Sequence, residues 1–466
     1  MNHAPFSIRG FNMCESLLRH SPEQLRTFIR RMKRLNLNTL ILHYDYGWKR
    51  YQDLLTAECE SAGVNIILMT FGPRTFLSYS DWKPQWFAKK EDGTPWTVKL
   101  ECETYPCAAV PECLEAYEYG ARQWLQELPP QIKHVHMRAA DGIMFCQCES
   151  CRKLPEHERW QPFVDRFVKA VHDVRPELRF ETDVYVMRYN IPVNRFSFKQ
   201  MSNIMYDTFY RSPSFPLDTD EDTCTSICMD YASGHTVPDA GTISRYHANR
   251  LREWSTAFPG KVYIHENAMM QSYYGTFQHG TDSYLKDLNF YRDLGLQGIC
   301  YEAFEPGFVN FEKSFEILAR AMNGETITYE MTELEQYLRK HPQPVFCYEQ
   351  DFPLEKFFRD PFLLEQNRLY RELMLKPSLD HFRRYLKFAF DNEERMDPLY
   401  IGYGTAKNCL AEGVAVFPDI SAAAQDFLSR RKLWDFMEDI PDSEDPRKVC
   451  KNIICELMEK GRKING

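Results

Sequence analysis

At 466 residues, with 44% hydrophobic and 26% charged residues, the chain has the balance of an ordinary globular protein and the length for one large barrel plus a smaller domain. A formal net charge of −9 argues against nucleic acid or an anionic membrane as the main partner. No run of about 18 apolar residues occurs, so no spanning helix is expected.

The N-terminus, MNHAPFSIRGFNM, lacks the basic-then-apolar order of a secretory signal. Fifteen cysteines therefore read as thiols or metal ligands rather than a disulfide framework, and the expected location is the cytoplasm. Over roughly the first 310 residues, short apolar runs alternate with amphipathic stretches, the pattern of repeated βα units. The first strand is expected over Phe6 to Met13. Ser21-Pro22-Glu23 then opens a helix with a cap residue, a proline in the first turn and an early acid. The second strand is Asn38 to Tyr46 and the third Asn65 to Phe71. A long loop from Gly72 to about Tyr105 carries Trp82, Trp86 and Trp96, and long loops inside compact domains are usually functional. Further strands follow at His134 to Ala140, Arg179 to Val186, Asn203 to Tyr210, Lys261 to Asn267 and Gly298 to Phe304. Residues 211 to 245, after the sixth strand, form an insertion rich in Asp, Thr, Ser and Cys. Eight strands with helical connections predict an α/β fold, a (β/α)8 TIM barrel over residues 1–315. Helices rich in Leu, Glu, Lys and Arg then predict a mostly α-helical C-terminal domain over 316–466. A doubly wound open sheet is the alternative, weakened because no Gly-x-Gly-x-x-Gly follows the first strand.

Barrel enzymes keep their active sites at the C-terminal ends of the strands. Strand two ends near His43, Asp45 and Trp48; strand four leads to Asp141; strand six ends at Asp207. Strand seven ends at His265-Glu266, and strand eight at Glu302 with Glu305 just beyond. In strand five Arg179, Glu181, Asp183 and Tyr185 share one face, and a wholly polar face on a helix-flanked strand must point into the barrel or its mouth. His134, His136 and Arg138 share a face of strand four in the same way. An internal salt-bridge network explains such charge as well as chemistry does, although buried charge gathers where chemistry needs it. Trp82, Trp86, Trp96, Tyr273 and Tyr274 are candidate stacking surfaces for sugar rings, and Arg9 and Arg138 can grip a hydroxyl pair or a carboxylate. Hydrolysis of a glycosidic bond asks for two carboxyl groups flanking it. Asp141 and Glu266, on strands roughly opposite, are the expected pair, with Glu302 a competing second carboxylate.

Directly after Asp141-Gly142-Ile143-Met144-Phe145 comes Cys146-Gln147-Cys148-Glu149-Ser150-Cys151. Three thiols at this spacing predict a structural zinc site wanting a fourth ligand. Cys107 is the expected fourth, with Cys102, Cys113 and His157 as rivals. An iron–sulfur cluster lacks its usual spacings here.

Arg138-Ala-Ala-Asp141-Gly142 with Phe145-Cys146-x-Cys148-x-x-Cys151, preceded by Cys107-Ala-Ala-Val-Pro111-Glu112, resembles a family of bacterial glycoside-hydrolase-like barrels. Those barrels look related to the β-N-acetylhexosaminidases and α-glucuronidases. The resemblance covers roughly residues 6 to 190; Arg9-Gly10 also fits it and implies an arginine that grips sugar hydroxyls. One departure is that Asp141 is followed by Gly142 rather than by a second acid, so acid and base are expected on different strands. The expected function is therefore a glycosidase acting on an oligosaccharide or glycoside, with Asp141, Glu266 and Glu302 catalytic. Arg9, Asp45, Trp96, Arg138, Asp183, Tyr185 and Tyr273 are the expected substrate contacts. Two alternatives stand beside it. One is a metal-dependent hydrolase or isomerase using His134, His136, His43, Asp45, Asp183 and Glu266; the other is a non-catalytic carbohydrate-binding protein. Self-association into a homo-oligomer is left open.

Overall fold

A computed structural model describes residues 3–14, 17–70, 72–78, 81–96, 106–139, 145–185, 189–208, 211, 213–222, 242–267, 280–302, 305–341, 353–357, 359–375, 379–392 and 395–396. Eight strands close into a barrel in sequence order: β1 (Ile8–Met13), β2 (Thr39–His43), β3 (Asn65–Met69), β4 (His134–Met137), β5 (Arg179–Val184), β6 (Asn203–Asp207), β7 (Val262–Glu266) and β8 (Gly298–Glu302). Every neighbouring pair is parallel, and β1 seals the ring against β8 with Asn12 opposite Glu302. This is the (β/α)8 barrel that the alternation of elements predicts, and the open-sheet alternative falls with the closure.

The connecting helices are α1 (Pro22–Arg34), α2 (Trp48–Ala62), α3 (Pro111–Glu127), α4 (Gln161–Val174), the short α5 (Phe196–Gln200), α6 (Ile243–Ala257), α7 (Thr281–Asp293) and α8 (Glu305–Met322). The start of α1 is a capping box: Ser21 Oγ accepts from Gln24 N at 3.2 Å and Gln24 Oε1 accepts from Ser21 N at 2.8 Å. Its stripe Leu25, Phe28, Ile29 and Met32 is buried, each such side chain contributing about 1.5–3 kcal/mol. Helix α2 stops at Gly63, whose left-handed φ of 72° lets its N–H turn back to the carbonyls of Cys59 and Glu60. Gly10 is required for a different reason, because a Cβ there would lie 1.7 Å from the Thr39 carbonyl oxygen on β2.

Strand alternation divides the apolar residues in two. Phe11, Leu40, Leu68, Val135, Phe180, Ile204, Val262, Ile264 and Ile299 join the large cluster that packs under the helices. Ile8, Ile41, Ile67, Met69, Met205, Tyr263 and Cys300 form a separate cluster inside the ring. The barrel interior is thus a packed core and not a pore.

Helix α8 runs through residue 315, where the barrel is expected to end, and packs on α7 and α1 as the eighth barrel helix. Beyond it come α9 (Glu333–Lys340), α10 (Leu354–Phe357), α11 (Pro361–Leu375) and α12 (Leu379–Asp391). Leu334, Leu338, Leu354 and Tyr370 from these helices join the same apolar cluster as the barrel, and Arg339 Nη2 on α9 reaches Asp282 Oδ2 on α7 at 2.9 Å. The remainder of the expected C-terminal domain, residues 397–466, lies outside the described residues. Among the described residues no helix is long and apolar enough to cross a membrane.

Candidate active site

The inward positions carry polar groups toward the C-terminal ends of the strands. From β1 and β2 come Asn12 and His43, from β5 and β6 Asp183 and Asp207, and from β7 and β8 His265 and Glu302; Arg138 follows β4 directly. All seven are buried. His43 Nε2 lies 3.1 Å from Asn12 Oδ1, and Asn12 Nδ2 lies 2.9 Å from His265 Nε2. His265 Nδ1 in turn lies 2.8 Å from Asp207 Oδ2, whose other oxygen accepts from Asn267 Nδ2 at 2.6 Å. On the neighbouring strands Arg138 Nε stands 4.0 Å from Asp183 Oδ2, with its guanidinium carbon 4.8 Å from the centre of the Tyr185 ring.

These contacts set the charges. Burial, then the positive charge of Arg138 and the neighbouring His265, push the proton affinity of His43 well below the ordinary imidazole range. Burial also opposes charge on His265, but the Asp207 carboxylate, and after it Glu302, outweigh burial and raise its pKa. The site therefore holds two imidazoles shifted in opposite directions, His43 downward and His265 upward, bridged by a single amide.

A second carboxylate–imidazole cluster is closed on itself. Glu181 Oε1 accepts from Tyr263 OH at 2.6 Å and lies 2.8 Å from His136 Nδ1, while Oε2 accepts from Asn203 Nδ2 at 3.0 Å and lies 2.8 Å from His134 Nε2. Burial pushes the Glu181 pKa up, yet the two histidines outweigh it and hold the carboxylate below its ordinary range. With each oxygen contacting two polar groups, this cluster is an internal ion pair of the kind that competes with chemistry as an explanation of buried charge.

Glu266 is not at the mouth with the other candidates. Tyr263 and His265 share the inward face of β7, so Glu266 shares the outward face with Val262 and Ile264. Its Oε2 accepts from Thr208 Oγ1 at 2.9 Å and meets Arg211 Nη1 at 3.4 Å, and the same Arg211 nitrogen pairs with Asp287 on α7. Burial first, and then the Asp287 carboxylate, raise Glu266 to about 7, against the pull of Arg211 and Thr208. Glu266, expected to pair with Asp141 across the mouth, thus faces the helices as the last residue of β7. Arg9 also departs from expectation. It sits near the N-terminal end of β1, where its Nε donates to the Asn36 carbonyl at 3.2 Å and its Nη1 to the Phe6 carbonyl, at the end of the barrel away from the mouth.

Arg138, Asp183 and Tyr185 are brought together, and Glu302 joins them on the inward face. Asp45 accepts from Thr75 Oγ1 at 2.6 Å and so ties the loops after β2 and β3. Trp96 is half-buried, with Lys90 Nζ 5.4 Å from its ring centre; Trp82 and Trp86 are buried loop core rather than open stacking surfaces. Asp141, Tyr273 and Tyr274 lie outside the described residues. Asn12 was missed by sequence reasoning, which looked for charge; the signal was its place on the same face as Ile8 and Gly10.

The four cysteines converge. Cys107 Sγ is 3.4 Å from Cys146 Sγ and 3.8 Å from both Cys148 Sγ and Cys151 Sγ, and all four sulfurs lie within 4.8 Å of one another. Zn–S bonds of about 2.3 Å in a tetrahedron put sulfurs about 3.8 Å apart, so the quartet fits such an ion. The site joins the loop before α3 to the loop after β4, and Lys89 N reaches Cys146 Sγ at 3.3 Å from a third segment. Among the described residues it is the one cluster of three or more potential ligands. The residues of the metal-hydrolase alternative do not gather: His134 and His136 meet at Glu181, Asp45 is tied to Thr75, and Glu266 is behind β7.

No family model and no curated relative matches the chain. Solved structures similar in fold include glycoside hydrolases. They include the β-galactosidase of the haloarchaeon Halorubrum lacusprofundi, at 8% identity and TM-score 0.45, with 69% of this chain and 59% of that chain covered. The β-galactosidase of Rahnella sp. R3 is similar at 12% identity and TM-score 0.47, over 80% of this chain and 65% of that one. The chitobiase of Flavobacterium johnsoniae is similar at 9% identity and TM-score 0.43, over 98% of this chain and 78% of that one. The chain spans only 59% and 53% of the lengths of the Halorubrum and Marinomonas β-galactosidases. At these identities the likeness is one of fold.

Proposed function

We propose that the protein is a glycoside hydrolase whose carbohydrate substrate binds at the C-terminal mouth of the barrel, with Asp141 and Glu302 as the carboxyl pair. The observation that carries this reading is the layer of inward polar side chains at that end, with Asp183, Asp207 and Glu302 among them. Strands four and eight are opposite in an eight-stranded ring, so groups following β4 and ending β8 can flank a bound sugar. One carboxyl protonates the glycosidic oxygen; the other, ionised, attacks the anomeric carbon or takes a proton from the attacking water. Arg138, braced by the Tyr185 ring and Asp183, is the proposed hydroxyl contact, and Asp45, Trp96 and Tyr273 are proposed to line the approach.

The cysteine quartet is proposed to hold a structural zinc ion, which would pin the loop carrying Asp141 and leave no open coordination position. Such a site needs reduced thiols, in keeping with a cytoplasmic protein. Elemental analysis of the purified protein is expected to find one zinc per chain, lost in Cys151→Ser with a lowered melting temperature; full zinc retention in that variant would refute the site. The function is tested with chromogenic N-acetylhexosaminides, hexosides and uronides. Turnover of one member by the wild type, lost in Glu302→Gln, is expected, whereas turnover unaffected by that substitution removes Glu302 from the pair.

A further inference from the structure

Resting on the glycosidase reading, a second question is which half of the reaction Glu302 performs. The answer lies in its neighbours. His265 is opposite Cys300 on β8, so Glu302, two residues further on the same inward face, stands just above the imidazole. On its other side Glu302 is opposite Asn12, the residue whose amide joins His265 to His43. His265 is held from the side by its register partner Asp207 on β6, whose two oxygens contact His265 Nδ1 and Asn267 Nδ2, an arrangement suited to an ionised carboxylate.

We propose that the Asp207–His265 pair is a positioning device that keeps an imidazolium beside Glu302, so that Glu302 is the ionised partner, nucleophile or base, and the proton donor is the other carboxyl. An imidazolium at His265 donates from both ring nitrogens. It therefore requires the Asn12 amide turned over from the Nδ2–His265 and Oδ1–His43 contacts given above, with Oδ1 toward His265 Nε2 and Nδ2 toward His43 Nε2. His43 accepts there as a neutral imidazole, the form its burial and its cationic neighbours favour. Among the described residues, the charged and titratable groups around His265 include Asp207 from β6, Glu302 from β8, Arg138 after β4 and His43 from β2. The two carboxylates favour the cation and Arg138 opposes it, and the net effect is a raised pKa at His265.

The test is the titration of the His265 imidazole by ¹⁵N NMR in the full chain, wild type against Glu302→Gln. His265 is expected to titrate above 6.5 in the wild type and about one pH unit lower in the variant. The same titration in both proteins overturns the proposal, with no substrate needed. Once a substrate is in hand, Asp207→Asn is expected to move the acid limb of kcat/KM upward by about one unit, and an unmoved limb also overturns it. Coupling seen by NMR without turnover of any glycoside would instead sink the glycosidase reading and leave the assigned charge on Glu302 standing.

Discussion

Two buried glutamates end adjacent strands of this barrel and have opposite environments. Glu302 ends β8 facing inward, beside Asn12 and His265, at the C-terminal end of the strands. Glu266 ends β7 facing outward, locked with Arg211 and Asp287 under α7. Both are almost fully buried, so burial alone does not separate a reactive group from a structural one. Strand parity does. The inward acid lies beside His265 and Asn12; the outward acid meets a fixed arginine that already answers a second carboxylate.

The largest effect expected from breaking this contrast is on the inner side. Glu302→Gln should lower kcat by about 10³-fold or more with the melting temperature little changed, which steady-state kinetics and a thermal melt would check together. On the outer side the effect should be on stability. Arg211→Met strands Glu266 and Asp287 without their cation and should cost about 3–5 kcal/mol in denaturant unfolding, while kcat of the folded protein holds.

A smaller effect sharpens the same contrast through pH. Glu266 binds its proton more tightly folded, at about 7, than the ordinary 4.5 of an unfolded chain, so the native state holds the extra proton between those values. Stability from this group is full below pH 4.5 and is lost as pH rises through about 7, a change of roughly 3 kcal/mol at most. Glu266→Gln, which mimics the protonated form, should flatten that slope in melts taken from pH 5 to 8; an identical slope in the variant would contradict the environment described for Glu266.

The strand starts were legible from the apolar runs, but the ends were overestimated: β4 stops at Met137 rather than Ala140, and β2 at His43 rather than Tyr46. The residues that overrun are those leaving the barrel to build the mouth, where the local pattern continues and the pairing partner does not. Alternation located Glu181 and Asp183 on one inward face of β5. At β7 the acid was chosen by identity although Val262, Ile264 and Glu266 share a face, and two of those three are plainly core. The Cys-x-Cys-x-x-Cys run announces three ligands and Cys107 is the expected fourth; the fold brings those four sulfurs within 4.8 Å of one another, a distance that the sequence does not encode. The Asn12 bridge and the Arg211–Asp287 pair were not legible, because each joins residues far apart in the chain by contacts that no local period encodes.

The most direct test of the account is a side-by-side measurement of glycoside turnover by wild type, Glu302→Gln and Glu266→Gln. Loss of turnover in Glu302→Gln with wild-type kcat kept in Glu266→Gln is the predicted result. The reverse pattern, turnover kept without Glu302 and abolished in a folded Glu266→Gln protein, would contradict it and return the chemistry to the outer face of β7.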